Sequence, residues 1–194
     1  MTGWRDPFIS SSEILDRVTD HSNGTYVFVA GGLQSHGPTI FLYRLPFNDS
    51  IRDSLTGEWE DMGPFITPMR RRVPPRSSWV GDLGDNWECP SFVTLGSLHV
   101  VIIGSEGKWV DLTYPNSKIP SWQIWFAGDV VQKDGRIHFD INSEGILDWG
   151  NFYAAQVFKA NDGRTLSIGG YHKQSTKTMF DDRLVGRQRL DRSW

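Results

Sequence analysis

Two carboxylates in this 194-residue chain stand in rigid, aromatic surroundings. Asp6 lies in Trp4-Arg5-Asp6-Pro7-Phe8, and Glu88 lies in Asn86-Trp87-Glu88-Cys89-Pro90-Ser91-Phe92. Paired carboxylates do acid/base work. Breaking a glycosidic bond, for example, needs an acid to protonate the leaving oxygen and, when configuration is retained, a second carboxylate to attack the anomeric carbon. Glu88, flanked by Trp87 and followed by Cys89 and Pro90 where a strand begins, would sit at a strand end in a partly apolar wall. Such a wall favours the protonated form that a general acid requires. Asp6 has Arg5 as its neighbour, which favours the ionised form and suits a carboxylate that accepts hydrogen bonds from hydroxyls. Taken singly, Glu88 reads first as an ordinary exposed strand-edge glutamate, and Asp6 reads equally as half of a surface Arg-Asp pair.

The elements that must position these residues are strands. Short β-branched and aromatic runs separated by Gly, Pro, Asn and Asp predict strands over 26–30, 39–44, 91–95, 98–103, 123–127, 136–139, 152–158 and 165–168. Helix signals are nearly absent. A Ser-Ser-Ser-Glu-like opening predicts a turn or two over 11–18, too short to stand alone in water. The repeated plan of strand, tight turn, strand and aromatic fits a β-propeller, and a sandwich would read much the same. The stretches 66–85 and 110–122 read as long surface loops. After residue 171 the chain carries His172, Lys173, Lys177, Arg183, Arg187, Arg189 and Arg192 with little apolar periodicity, which predicts a solvated basic tail or a partner-binding arm. Residues 1–172 then form one domain and 173–194 the tail.

Composition narrows the ligand. A net charge of -3 and a pI near 5.9 give no field suited to a nucleic-acid backbone or an anionic membrane surface, and a neutral ligand fits better. Apolar runs fall well short of a bilayer span, and the N-terminus lacks the layout of a signal peptide. The single cysteine, Cys89, rules out an internal disulfide and a Cys-based metal site. Two sequons, at Asn23 and Asn48, would matter only in a secreted chain. Nine tryptophans either fill the cores of short-stranded sheets or offer flat apolar faces to sugar rings.

The motifs acquire meaning in order. Trp4-Arg5-Asp6-Pro7-Phe8 is followed by Phe28-Val29-Ala30-Gly31-Gly32, by 37–44 ending in Phe41-Leu42-Tyr43-Arg44, and by 59–65 (Trp59-Glu60-Asp61-Met62-Gly63-Pro64-Phe65). Trp87-Glu88-Cys89-Pro90-Ser91-Phe92 comes next, then 145–156 with Asp148-Trp149-Gly150 and Phe152-Tyr153-Ala154-Ala155-Gln156, then Asp162-Gly163-Arg164-Thr165-Leu166. Over about residues 4 to 171 this resembles glycoside hydrolase family 32, the invertase, inulinase and fructosyltransferase family. The resemblance implies an all-β, five-bladed propeller with a central funnel and a retaining mechanism on β-fructosides such as sucrose, inulin or levan. It implies Glu88 as acid/base, Asp6 as the residue that binds fructose hydroxyls and stabilises the oxocarbenium-like transition state, Arg5 beside it as a substrate contact, and Cys89 as the neighbour that tunes Glu88. No metal or organic cofactor is implied, the expected partner is a small-molecule or oligosaccharide substrate, and the family suggests an extracellular or vacuolar location.

The departures are as specific as the matches. The family's nucleophile is the aspartate of a Trp-Met-Asn-Asp-Pro-Asn-Gly segment on the first blade, and the only Asp-Pro here is Asp6-Pro7. Arg5 before it and Phe8-Ile9 after it mark the other motif, so the expectation is that the chain begins after the first blade and has no room for the β-sandwich that follows the propeller. Activity would then be impaired. Fructosyl transfer, or fructan binding without turnover, are the alternatives; a propeller scaffold with periodic Trp-Asp signatures is not supported, since those signatures are absent.

Overall fold

The computed structural model describes residues 3–45, 57–67, 83–84, 86–106, 122–148 and 152–171. Among the described residues, ten strands and one short helix run in the order β1 (Gly3–Ser11), α1 (Glu13–Thr19), β2 (Thr25–Leu33), β3 (Gly37–Leu45), β4 (Glu60–Pro64), β5 (Asn86–Leu95), β6 (Leu98–Glu106), β7 (Trp122–Lys133), β8 (Arg136–Asp148), β9 (Phe152–Lys159) and β10 (Thr165–Tyr171). Every pairing is antiparallel between sequence neighbours, giving sheets β1-β2-β3-β4, β5-β6-β7-β8 and β9-β10. The all-β expectation is met, and all eight anticipated runs fall inside strands. Strands β1 and β4 were not anticipated, because Asp6-Pro7 and Gly63-Pro64 read as turn residues.

Period-2 alternation explains how three sheets share the core. On β2, Tyr26, Phe28 and Ala30 point into the main core while Val27 and Val29 pack on the opposite face with Phe41. On β6, Val101 and Ile103 join the main core, and Val100 and Ile102 turn the other way to meet Ala155 and Val157 of β9. The second sheet therefore buries side chains on both faces, against the first sheet on one side and the third on the other. A two-layer sandwich would leave its outer faces to solvent; serial stacking of up-and-down sheets is the arrangement of propeller blades.

The main core is aromatic. Phe28, Phe65 and Phe92 meet at centroid distances of 5.2 to 5.5 Å, and Phe139 closes on Phe65 at 5.5 Å. Trp87 is fully buried, with its indole N–H donated to the Leu83 carbonyl at 2.9 Å, so this tryptophan is a core filler. Trp4 is exposed and meets Tyr43 edge-on at 6.4 Å. Helix α1 is held by the Ser12 side chain, which accepts from Leu15 N, and by Leu15, buried in the main core. It confirms that so short a helix forms by tertiary docking. The basic tail, Asn48 and most of both anticipated loops lie outside the described residues; Trp122, placed at the end of the second loop, instead opens β7.

Candidate active site

The first strand of each sheet carries the same irregularity. In β1, Arg5 pairs with Ala30 and Phe8 with Phe28; in β5, Glu88 pairs with Gly104 and Ser91 with Ile102; in β9, Tyr153 pairs with Gly170 and Gln156 with Ile168. In each case two residues face one on the partner strand, which defines a β-bulge. The first residue of each pair is left-handed: Asp6 at φ 54, Cys89 at φ 48 and Ala154 at φ 54. Proline follows in the first two, where a bulge leaves no ladder bond for a missing N–H to break.

The bulges aim the preceding side chains at one another. Arg5 Nη1 donates to Glu88 Oε1 at 2.8 Å, and the Tyr153 hydroxyl donates to Glu88 Oε2 at 2.8 Å. Both oxygens of Glu88 are thus held by groups from the other two sheets. Arg5 Nη2 reaches Glu106 Oε2, also at 2.8 Å, so one guanidinium bridges two carboxylates. Asp6 accepts from Cys89, whose N–H lies 3.2 Å and whose Sγ lies 3.6 Å from the same oxygen, Oδ2. Burial first, then the nearby Asp6 carboxylate, push the Cys89 thiol up to about 11, so it is a protonated donor at neutral pH and a poor nucleophile.

The structure brings Arg5, Asp6, Glu88 and Cys89 together as the sequence suggested, with different pairings. Arg5 does not serve its neighbour Asp6, because successive side chains diverge along a strand and the bulge turns them further apart. The wall around Glu88 is polar, built from Arg5 and Tyr153, and the carboxylate is only partly exposed.

Tyr153 and Glu106 were not singled out from the sequence. A signal for Tyr153 was present: Trp4-Arg5-Asp6-Pro7, Trp87-Glu88-Cys89-Pro90 and Phe152-Tyr153-Ala154-Ala155 share an aromatic residue, a polar or phenolic one, a left-handed position and then Pro or Ala. Gly104 makes room for it. A side chain there would place Cβ 3.0 Å from the Tyr153 ring. Strand β9 is anchored by side chains as well as by its ladder: Ala155 N–H donates to Gln123 Oε1 at 3.0 Å and Val157 N–H to Ser91 Oγ at 3.1 Å, all buried. Glu106 carried no signal, as its role comes from lying on β6 beside the first bulge.

Serial antiparallel sheets whose bulged first strands converge on one carboxylate define an all-β protein of propeller type. The chain belongs to glycosyl hydrolases family 32, whose N-terminal-domain model matches residues 16–183. Among curated proteins it is similar to sucrose-6-phosphate hydrolase of Salmonella typhimurium, 34% identical over 95 residues, covering 45% of this chain and 18% of that protein. The Escherichia coli sucrose-6-phosphate hydrolase is 32% identical over 93 residues, with the same coverage. Among solved structures, the Aspergillus kawachii beta-fructofuranosidase complexed with glycerol superposes with a TM-score of 0.70 at 26% identity, over 85% of this chain and 29% of that one. A Bombyx mori GH32 beta-fructofuranosidase shares the fold at TM-score 0.57 and 20% identity, over 89% of this chain and 30% of that one. The chain thus spans under a third of the length of these relatives. The expected extracellular or vacuolar location is overturned by the curated matches, which are sucrose-6-phosphate hydrolases of two bacteria. Family membership does not carry an address. Among the described residues no helix is long and apolar enough to cross a membrane.

Proposed function

We propose that this site handles the fructosyl unit of β-fructosides, with Glu88 as the general acid that protonates the leaving glycosidic oxygen as the fructosyl carbon passes to a carboxylate nucleophile, a role that no residue of the described site fills, and then as the base that takes a proton from the water that releases the fructosyl group. The observation that carries this reading is the grip on Glu88. Arg5 and Tyr153, from the two flanking sheets, each donate to one of its oxygens at 2.8 Å, which fixes the group as an oriented acceptor, the form that acts as base; to act as acid it takes up a proton in place of one of these bonds. Asp6 supplies a carboxylate to accept sugar hydroxyls, and Arg5 lies at the same point as a second polar contact. The names of the curated relatives make sucrose 6-phosphate a candidate substrate beside sucrose and inulin.

A second reading is binding of fructosides without turnover. It is favoured by one structural observation: the carboxylate of Asp6, in the Asp6-Pro7 pair, is engaged by the N–H and the thiol of Cys89. Fructose release from sucrose, sucrose 6-phosphate and inulin, measured beside Glu88→Gln, separates the two. Release that the substitution abolishes supports acid/base catalysis by Glu88. Measurable fructoside affinity with no release from either protein supports the binding reading, and neither affinity nor release refutes both.

A further inference from the structure

We propose that Cys89 is a positioning residue for Asp6, donating both its N–H and its S–H to one carboxylate oxygen so that the other oxygen is presented to a sugar hydroxyl. The proposal rests on the fructoside reading of the site for its ligand, and on geometry for the contact itself. Asp6 and Cys89 occupy equivalent places, the left-handed residue of the bulge in the first strand of adjacent sheets. At Cys89 the bulge takes the residue out of the β5–β6 ladder, whose register passes from Glu88 to Ser91. The N–H so released points across to Asp6 Oδ2 at 3.2 Å, and the thiol reaches the same atom at 3.6 Å.

Two donors from one residue on one oxygen fix a carboxylate more firmly than a single flexible donor, because the backbone arm cannot rotate away. The residues that follow sharpen the arrangement. Pro7 and Pro90 have no N–H, whereas at the third bulge Ala155 does, and that N–H is taken by Gln123 rather than by the site. The raised thiol supports the same assignment: burial and the facing carboxylates Asp6 and Glu88 keep the proton on sulfur through the neutral range, as a donor requires. Among the described residues, the charged and titratable groups joined to this contact are Asp6 and Arg5 from β1, Glu88 from β5, Glu106 from β6 and Tyr153 from β9. Cys89 thereby acts on Asp6, across the sheet boundary, in addition to being the chain neighbour of Glu88.

The chain has a single cysteine, so any thiol reaction reports Cys89 alone. The first arm measures the rate of reaction with the disulfide reagent DTNB at pH 8 for the native chain and for Asp6→Asn, since asparagine tolerates the left-handed backbone. Removing the carboxylate frees the thiol to ionise, and the expected rise is on the order of tenfold, with equal rates in denaturant. A rate within about twofold of native in a folded variant overturns the contact. The second arm measures sucrose and fructose affinity by calorimetric titration for the native chain, Cys89→Ala and Cys89→Ser. The alanine variant is expected to lose about fivefold or more with an unchanged melting temperature, and serine, which keeps both donors, to recover part of that loss. Equal affinity of native and Cys89→Ala chains overturns the positioning role. If the native chain takes up no fructoside, the fructoside reading fails, while the thiol arm still decides the contact.

Discussion

Ser91→Ala tests how the third sheet is tied to the site. Ser91 is fully buried, and its hydroxyl accepts the Val157 N–H at 3.1 Å from an adjacent sheet. Removing that oxygen leaves a buried backbone donor without its acceptor. The missing bond and the desolvated N–H together cost about 1–3 kcal/mol, and the small apolar gain of alanine offsets little of it. At about 2 kcal/mol, a chain of this size loses roughly 4–8 °C in Tm. Because the defect is local to β9, the effect concentrates there: amide exchange of Val157 is expected to quicken by up to about 30-fold while Phe28 and Val101 in the main core follow global unfolding. Differential scanning calorimetry and amide exchange by NMR provide the two readings. An unchanged Tm together with Val157 protection within threefold of native would refute the claim that side-chain acceptors, rather than apolar contact alone, hold this strand in register.

Other expectations follow from the same geometry. Tyr153→Phe removes a hydroxyl that donates to Glu88 Oε2, and fructoside turnover or affinity should fall about tenfold with little change in Tm, as measured by steady-state release or titration. Gly104→Ala puts a Cβ 3.0 Å from the Tyr153 ring and should weaken the same function by moving the ring, whereas adding Tyr153→Phe to it should cost little more; a double-mutant cycle with additive losses counts against this. Alkaline pH should destabilise the fold in two steps. Cys89, raised from 9.0 to about 11, and Tyr26, raised from 10.0 to about 12 by burial, both keep protons in the folded state that the unfolded chain has released. The unfolded state then binds fewer protons, so stability falls as pH rises from 9 towards 12, by at most about 2.7 kcal/mol for each group and by less after solvent screening. Urea midpoints against pH should show the step between 9 and 11 vanish in Cys89→Ser and the step between 10 and 12 vanish in Tyr26→Phe. Glu60→Ala strips the partner from the buried guanidinium of Arg44, held at 2.9 and 2.7 Å, and should cost about 1–3 kcal/mol in the same assay.

What could be read from the sequence was whatever a local pattern encodes. Runs such as 26–30 and 98–103 are β-branched and aromatic because both faces of their sheets are buried, and that composition survives as a signal whatever the tertiary arrangement. Strands β1 and β4 were hidden for the opposite reason: the residues that make them useful, Asp6-Pro7 and Gly63-Pro64, are turn formers, and only pairing with β2 and β3 holds them extended. Asp6 and Glu88 were legible as candidates through their motifs. Their partners were not, because the bond from Arg5 crosses 83 residues and the bond from Tyr153 crosses 65. Adjacency in the chain suggested Arg5 for Asp6; the bulge decided for Glu88.

The repeated bulge has a consequence for how damage to this protein would show itself. Arg5, Glu88 and Tyr153 belong to three different sheets, and none shares a backbone ladder with another. Each sheet can keep its own hydrogen bonds while the sheets slide or loosen against one another, a condition in which far-ultraviolet dichroism stays native and fixed side-chain packing is lost. The cluster is therefore an internal gauge of docking between sheets: its integrity, read through the reactivity of the one thiol beside it, reports an order that secondary-structure content cannot see.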